Sequence, residues 1–147
     1  MDLSGALAQT QTNLLKSQFD GGFIRLFSGS KPATSDMAET GTLLGIVTVG
    51  AVDGAGLHFD ASGATLSKSA VEDWYFRALA TGTVGYFRLV APGDDGTADL
   101  DALRLSGTVG TAALPADMNW DSTAVVTGLA YSLDSFLYII NPIGDAP

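Results

Sequence analysis

Apolar residues in this chain fall into two textures. Over the first twenty positions Leu3, Leu7 and Leu14 recur at spacings of four and seven, which sets them on one helical face. Asp2 or Ser4 is placed to cap the start of that helix, and Asp20-Gly21-Gly22 to stop it. The Thr and Gln residues between them give only modest helix propensity. Residues 1–21 therefore read as an N-terminal arm, helical or extended, that orders against its own domain or against a neighbour.

From position 22 the pattern changes to short β-rich runs broken by Gly, Asp, Pro and Ser. Strands are predicted at 23–27, 42–49, 56–60, 64–68, 74–79, 84–90, 100–109, 124–127 and 130–140. Ala80-Thr81-Gly82-Thr83 joins two aromatic runs through a glycine and reads as a hairpin. Positions 31–41 read as a loop, with one helical turn opening at Ser35 or Asp36 and stopped by Gly41. Nine strands with no βαβ rhythm predict one all-β domain over 22–147, an antiparallel β-sandwich or jelly roll. No Pro/Gly/Ser linker is long enough to divide it.

Charge narrows the functional classes. Seven Lys and Arg against sixteen Asp and Glu leave a net charge of −9, and the basic residues are scattered. Nucleic-acid binding needs them clustered, so it is not expected. Charged residues are 16% of the 147, below the roughly 25% usual for soluble domains. No apolar run approaches the roughly 18–20 residues of a membrane helix, and the N-terminus lacks the basic start and apolar core of a signal peptide. Low charge with a positive mean hydropathy points instead to a surface partly covered by other subunits. With no cysteine and a single histidine, His58, thiolate chemistry, disulfides and a two-imidazole site within one chain are excluded.

The candidate chemistry is thin. His58 and Asp60 share a strand face, but Ser62, Ser67 and Ser69 nearby lack a nucleophile-elbow context, so no triad is assigned. The acidic run from Asp94 to Asp101 offers oxygen ligands, yet its spacing departs from a calcium loop and suits turn chemistry. Glu39 and Glu72, the two glutamates, both flank loops, and the glycine-rich run 50–56 lacks the Lys-Ser/Thr of a phosphate loop. No catalytic residue, metal ligand or cofactor is expected. Trp74, Tyr75, Phe76, Tyr86 and Phe87 read first as core, with a sugar-stacking platform (Trp74, Tyr75, Tyr86 or Trp120) as the alternative. All four arginines, Arg25, Arg77, Arg88 and Arg104, lie mid-strand between bulky residues. That placement predicts an outward row, either a solvated face paired with carboxylates or a contact face for an acidic or planar partner.

One stretch carries a resemblance. Phe23-Ile24-Arg25-Leu26-Phe27-Ser28-Gly29-Ser30-Lys31-Pro32-Ala33 followed by Thr40-Gly41-Thr42-Leu43-Leu44 is similar to a strand-loop-strand of small tailed-phage virion proteins. Thr81-Gly82-Thr83-Val84-Gly85-Tyr86-Phe87-Arg88 resembles their middle hairpin, and Leu105 to Gly110 leading to Trp120, with the closing run 125–136, extends the likeness over roughly 22–140. Such proteins are generally non-enzymatic virion components of β architecture. The resemblance implies a head decoration or cement protein that binds the major capsid lattice as a homo-oligomer, in the form of a trimer for example, on the outer surface of the head. A tail or connector component and a carbohydrate-binding module are the alternatives. The expected contacts are Leu3, Leu7, Leu14 and Phe19 of the arm, Lys31 and Pro32 of the 29–41 loop, and Arg25, Arg77 and Arg88 of the row. Neither nucleic acid nor membrane is expected as a partner.

Overall fold

The computed structural model describes residues 2–140; Met1 and positions 141–147 of the two expected segments lie outside the described residues. One helix, α1 (Gly5–Phe19), precedes eleven strands. They are β1 (Phe23–Ser28), β2 (Leu43–Val49), β3 (Phe59–Ser62), β4 (Thr65–Lys68), β5 (Trp74–Arg77), β6 (Gly82–Val90), β7 (Arg104–Thr111), β8 (Met118–Trp120), β9 (Ala124–Val125), β10 (Ala130–Leu133) and β11 (Leu137–Ile139). The main sheet runs β10-β5-β2-β1-β6-β7-β8, with β9 added to the start of β6, and a second sheet runs β11-β4-β3.

The fold is all-β and sandwich-like, as expected, but its main sheet is mixed. β7 and β8 pair in parallel, with Val109 opposite Met118 and Thr111 opposite Trp120, while every other strand pair is antiparallel. A short return loop suffices because the parallel ladder is only three rungs long. Asp117 anchors that loop by accepting hydrogen bonds from the Thr108 N–H at 2.9 Å and the Thr108 hydroxyl at 3.2 Å.

Three local expectations are corrected. The 80–83 link is not a hairpin, since β2 and β1 stand between β5 and β6. It crosses the end of the sheet instead, where Leu79 N–H donates to Leu44 O at 2.8 Å and Ala78 N–H to Leu129 O at 2.9 Å. The single strand expected over 130–140 is two, β10 and β11, which join different sheets. No helical turn forms at Ser35; a simple turn closes there, with Met37 N–H donating to Thr34 O.

The inner face of the main sheet is apolar. Ile24 and Leu26 of β1, Leu44 and Val47 of β2, Trp74 and Phe76 of β5, and Phe87 and Leu89 of β6 are buried in one cluster with Phe59 and Leu66 of the small sheet. Phe59 meets Trp74 edge-on at 5.3 Å between centroids and Phe136 at 5.7 Å, the edge-to-face geometry that ring quadrupoles favour. Two glycines make room for rings: a Cβ on Gly45 would lie 2.5 Å from Phe76, and one on Gly107 would lie 2.6 Å from Phe87.

The outer face of β1, β6 and β7 is roofed rather than solvated. Loop 29–42 and loop 91–103 lie across it and hold each other, Glu39 N–H donating to Gly96 O at 3.1 Å and Asp99 N–H to Asp36 O at 2.9 Å. Beneath them Phe27 stacks on Tyr86 at 4.9 Å. The Tyr86 hydroxyl donates to Thr40 O at 2.6 Å and accepts from Thr40 N–H at 2.9 Å.

Candidate interaction surface

The N-terminal segment folds onto its own domain. Ser4 caps α1, its hydroxyl accepting from Leu7 N–H at 3.1 Å. The inward face of the helix is Ala8, Thr12 and Phe19, all buried, at the four- and seven-residue spacings of one helical stripe. Thr12 donates to Gly63 O at 2.8 Å, and the Gln9 side-chain carbonyl accepts from Gly63 N–H at 2.7 Å, so the helix grips the β3–β4 turn. At its C-terminal end Asp20 accepts from Phe59 N–H at 2.9 Å while holding Lys16 at 2.6 Å. Phe19, expected in a docking face, is instead part of the domain core. Its place one turn beyond Leu15 on the inward stripe is the reason.

The leucines behave differently. Leu7 is 48% exposed and Leu14 60%, and Leu3 is half-buried. Lys16, the one charged residue of α1, is tied up with Asp20. The outer face therefore carries no unpaired charge and is made of leucine, glutamine, asparagine, threonine and serine, whereas a solvent-facing helix normally carries its charges there. Leu14 also borders an apolar groove of about 450 Å³ that runs between α1 and Leu66, Leu103, Leu105, Tyr138 and Ile140.

The arginine row is real in register but not in exposure. Arg25 stands directly opposite Arg88 across β1 and β6, and Arg88 opposite Ser106 on β7. The roof covers all of it. Arg25 forms a forked pair with Glu39, Nε to Oε2 at 2.7 Å and Nη2 to Oε1 at 3.0 Å. Arg104 does the same with Asp94 at 2.6 and 2.7 Å and donates further to Ser35 O and Thr97 O. The Arg104 guanidinium holds the Asp94 carboxyl below its usual range, and Asp94 in turn raises Arg104. Arg88, expected to face a partner, is wholly buried. Of the three proposed contact arginines only Arg77 is exposed, donating to Gly128 O at 2.7 Å. In the 29–41 loop Pro32 is buried and Lys31 half-buried, because that loop is spent on covering the sheet.

Elsewhere the acidic run is turn chemistry. Asp94 accepts from Gly96 N–H, Asp95 from Thr97 N–H and Asp99 from Asp101 N–H, at 2.8 to 3.0 Å. Among the described residues no group of three His, Cys, Asp or Glu side chains is disposed to hold a metal, and no helix is long and apolar enough to cross a membrane. His58 pairs not with Asp60 but with Glu72, Nδ1 to Oε2 at 2.7 Å. Burial pushes the Glu72 carboxyl up, but hydrogen bonds from the Trp74 indole and from His58 outweigh this and bring it below the usual value.

Sequence reasoning missed β8 and the opening beside it. The main sheet curls until its two ends approach, Phe76 of β5 lying 6.0 Å from Trp120 of β8 and 5.3 Å from Tyr131 of β10. The seam between β8 and β10 is a cleft of about 860 Å³ bordered by Trp120, Tyr131, Tyr138, Asp121 and Asp134. The short Met-Asn-Trp run carries too little pattern to announce a strand. Of the proposed sugar-stacking residues, Trp74 and Tyr86 are buried, and Tyr75 lies on the outward side of β5. Only Trp120 borders the cleft. No family model, no curated protein sequence and no solved structure matches this chain.

Proposed function

We propose that this protein is a non-enzymatic structural component of a tailed-phage virion, a decoration or cement subunit. In this reading it is made in the host cytoplasm, seats on the major capsid lattice as a homo-oligomer such as a trimer, and stabilises the outside of the head by burying apolar area. The observation that carries the reading is the outer face of α1, which exposes Leu7 and Leu14, with Leu14 bordering the apolar groove. An apolar groove rimmed by an exposed leucine, on a helix face without free charges, suits contact with another subunit. The strand-loop likeness at 22–44 supplies the virion context, and the net charge of −9 disfavours a position against packaged DNA.

Deleting the arm is a poor test, since Phe19 belongs to the core. The informative variant is Leu14→Asp, combined with immunogold labelling of particles by antibody against the chain. Label across the head, and loss of capsid binding by a folded Leu14→Asp protein, is the expected result. Label at the neck or tail assigns a connector or tail role and overturns the head assignment. Absence of label from all particles overturns the virion reading.

The seam cleft favours a second reading, a carbohydrate-binding module. Its aromatic and carboxylate border is the chemistry that stacks on sugar rings and accepts from their hydroxyls. Glycan-array binding abolished by Trp120→Ala is the expected outcome of that reading, and an array without hits removes it.

A further inference from the structure

We propose that the roofed arginine row is a binding site for a single small monovalent anion of halide size, centred on Arg88. Arg88 is 0% exposed, and its Nε, Nη1 and Nη2 are all buried without a hydrogen-bond partner among the described residues. Its cross-strand neighbour is another arginine, Arg25, and like charges directly opposite destabilise a strand pair. A buried charge without a partner is among the costliest arrangements a fold can hold.

The neighbouring acceptors are engaged with other donors, and none bonds to Arg88. Both carboxylate oxygens of Glu39 accept from Arg25, and both of Asp94 accept from Arg104. The Tyr86 hydroxyl gives its proton to Thr40 O, and the Ser106 hydroxyl is paired with Ser35 at 3.0 Å. The layer thus carries three guanidinium groups against two carboxylates. Burial and the Arg104 charge both weaken proton binding at Arg88, with Glu39, Tyr86 and Asp94 opposing them. An anion beside Arg88 balances the charge and accepts from its free N–H groups, whereas a water molecule supplies an acceptor without charge.

The roof sets the size. Loops 29–42 and 91–103 are tied together by backbone hydrogen bonds, and Arg104 reaches both through Ser35 O and Thr97 O. With Arg88 wholly buried beneath that cover, the ligand proposed is a small single ion and not a polyanion or a peptide carboxylate.

The test replaces chloride by gluconate in the full-length protein at constant ionic strength and follows thermal unfolding. Raising chloride to about ten times its dissociation constant is expected to raise Tm by roughly 2–4 °C, with bromide equivalent. Arg88→Met is expected to melt independently of halide. Crystals grown with bromide are expected to show an anomalous peak against the Arg88 guanidinium, which decides the matter even where Arg88→Met does not fold. A wild-type Tm indifferent to halide, or an anomalous map with no peak at Arg88, overturns the proposal.

Discussion

The two faces of β1, β6 and β7 are both covered, and by opposite chemistry. The inner face is closed by aromatic and aliphatic side chains that touch one another, with the Trp74 indole N–H satisfied by Glu72. The outer face is closed by two loops over three arginines, two carboxylates and a tyrosine hydroxyl. Burial on the first side gains from every methylene removed from water, roughly 25 cal/mol per Å². On the second side it gains little until each charge has a partner, and a forked Arg–carboxylate pair is the geometry that gives most. The same strands therefore derive stability from shape on one side and from pairing on the other.

The comparison is broken most severely from the inner side. Trp74→Ala removes a fully buried ring from the centre of the core, and a loss of about 4 kcal/mol is expected in denaturant unfolding. Asp94→Ala leaves the buried Arg104 guanidinium without its carboxylate, and about 3 kcal/mol is the expected loss. Acid sharpens the contrast between the faces. The Asp94 carboxyl lies below its ordinary value of 3.8 in the fold, so its stabilisation is present above that value and lost as pH falls toward the lowered one. The wild-type protein should lose this increment on acidification below about pH 4, Asp94→Asn should lack that part of the profile, and Trp74→Ala should keep it. Thr12→Val leaves the Gly63 carbonyl without its donor and should cost about 1–2 kcal/mol. Leu14→Asp, on the outer face of α1, should change stability by no more than about 0.5 kcal/mol, which makes it a clean probe of partner binding.

The strands dense in aromatic and branched residues were legible. Phe23 to Phe27 and Val84 to Val90 emerge where their pattern puts them. Partnership was less legible, because pairing depends on which strands meet and not on their own periodicity. Trp74 to Arg77 looked joined to β6 by a glycine link, yet its partners are β2 and β10. The arginines show a second limit. Alternation correctly sets Arg25 and Arg88 opposite the core face, but whether that face meets water depends on two loops whose sequence reads only as turn chemistry. In α1 the leucines marked the outer stripe, while the inner one begins with Ala8 and Thr12, which carry little hydrophobic signal until the β3–β4 turn is placed beside them, and ends in Phe19. The Glu39 partner of Arg25 and the Asp94 partner of Arg104 had no local signal at all.

The strand order also governs when each part of the protein can form as the chain is made. The first strand finds one partner in the second but must wait for the sixth, and the fifth cannot complete its ladders until the tenth arrives. Closing such long loops precedes any reward from the contacts they bring. The β3–β4 ladder and the helix that grips its turn can assemble early, because the hydrogen bonds between them lie within the first half of the chain, and β11 is added to β4 last. The arginine layer must come late, since Arg25 leaves the ribosome long before Arg88, Asp94 and Arg104 exist to be placed beside it. Until then the outer edge of β1 is an open ladder, and slow synthesis through the middle of the chain should lengthen the time that edge is available for wrong pairing.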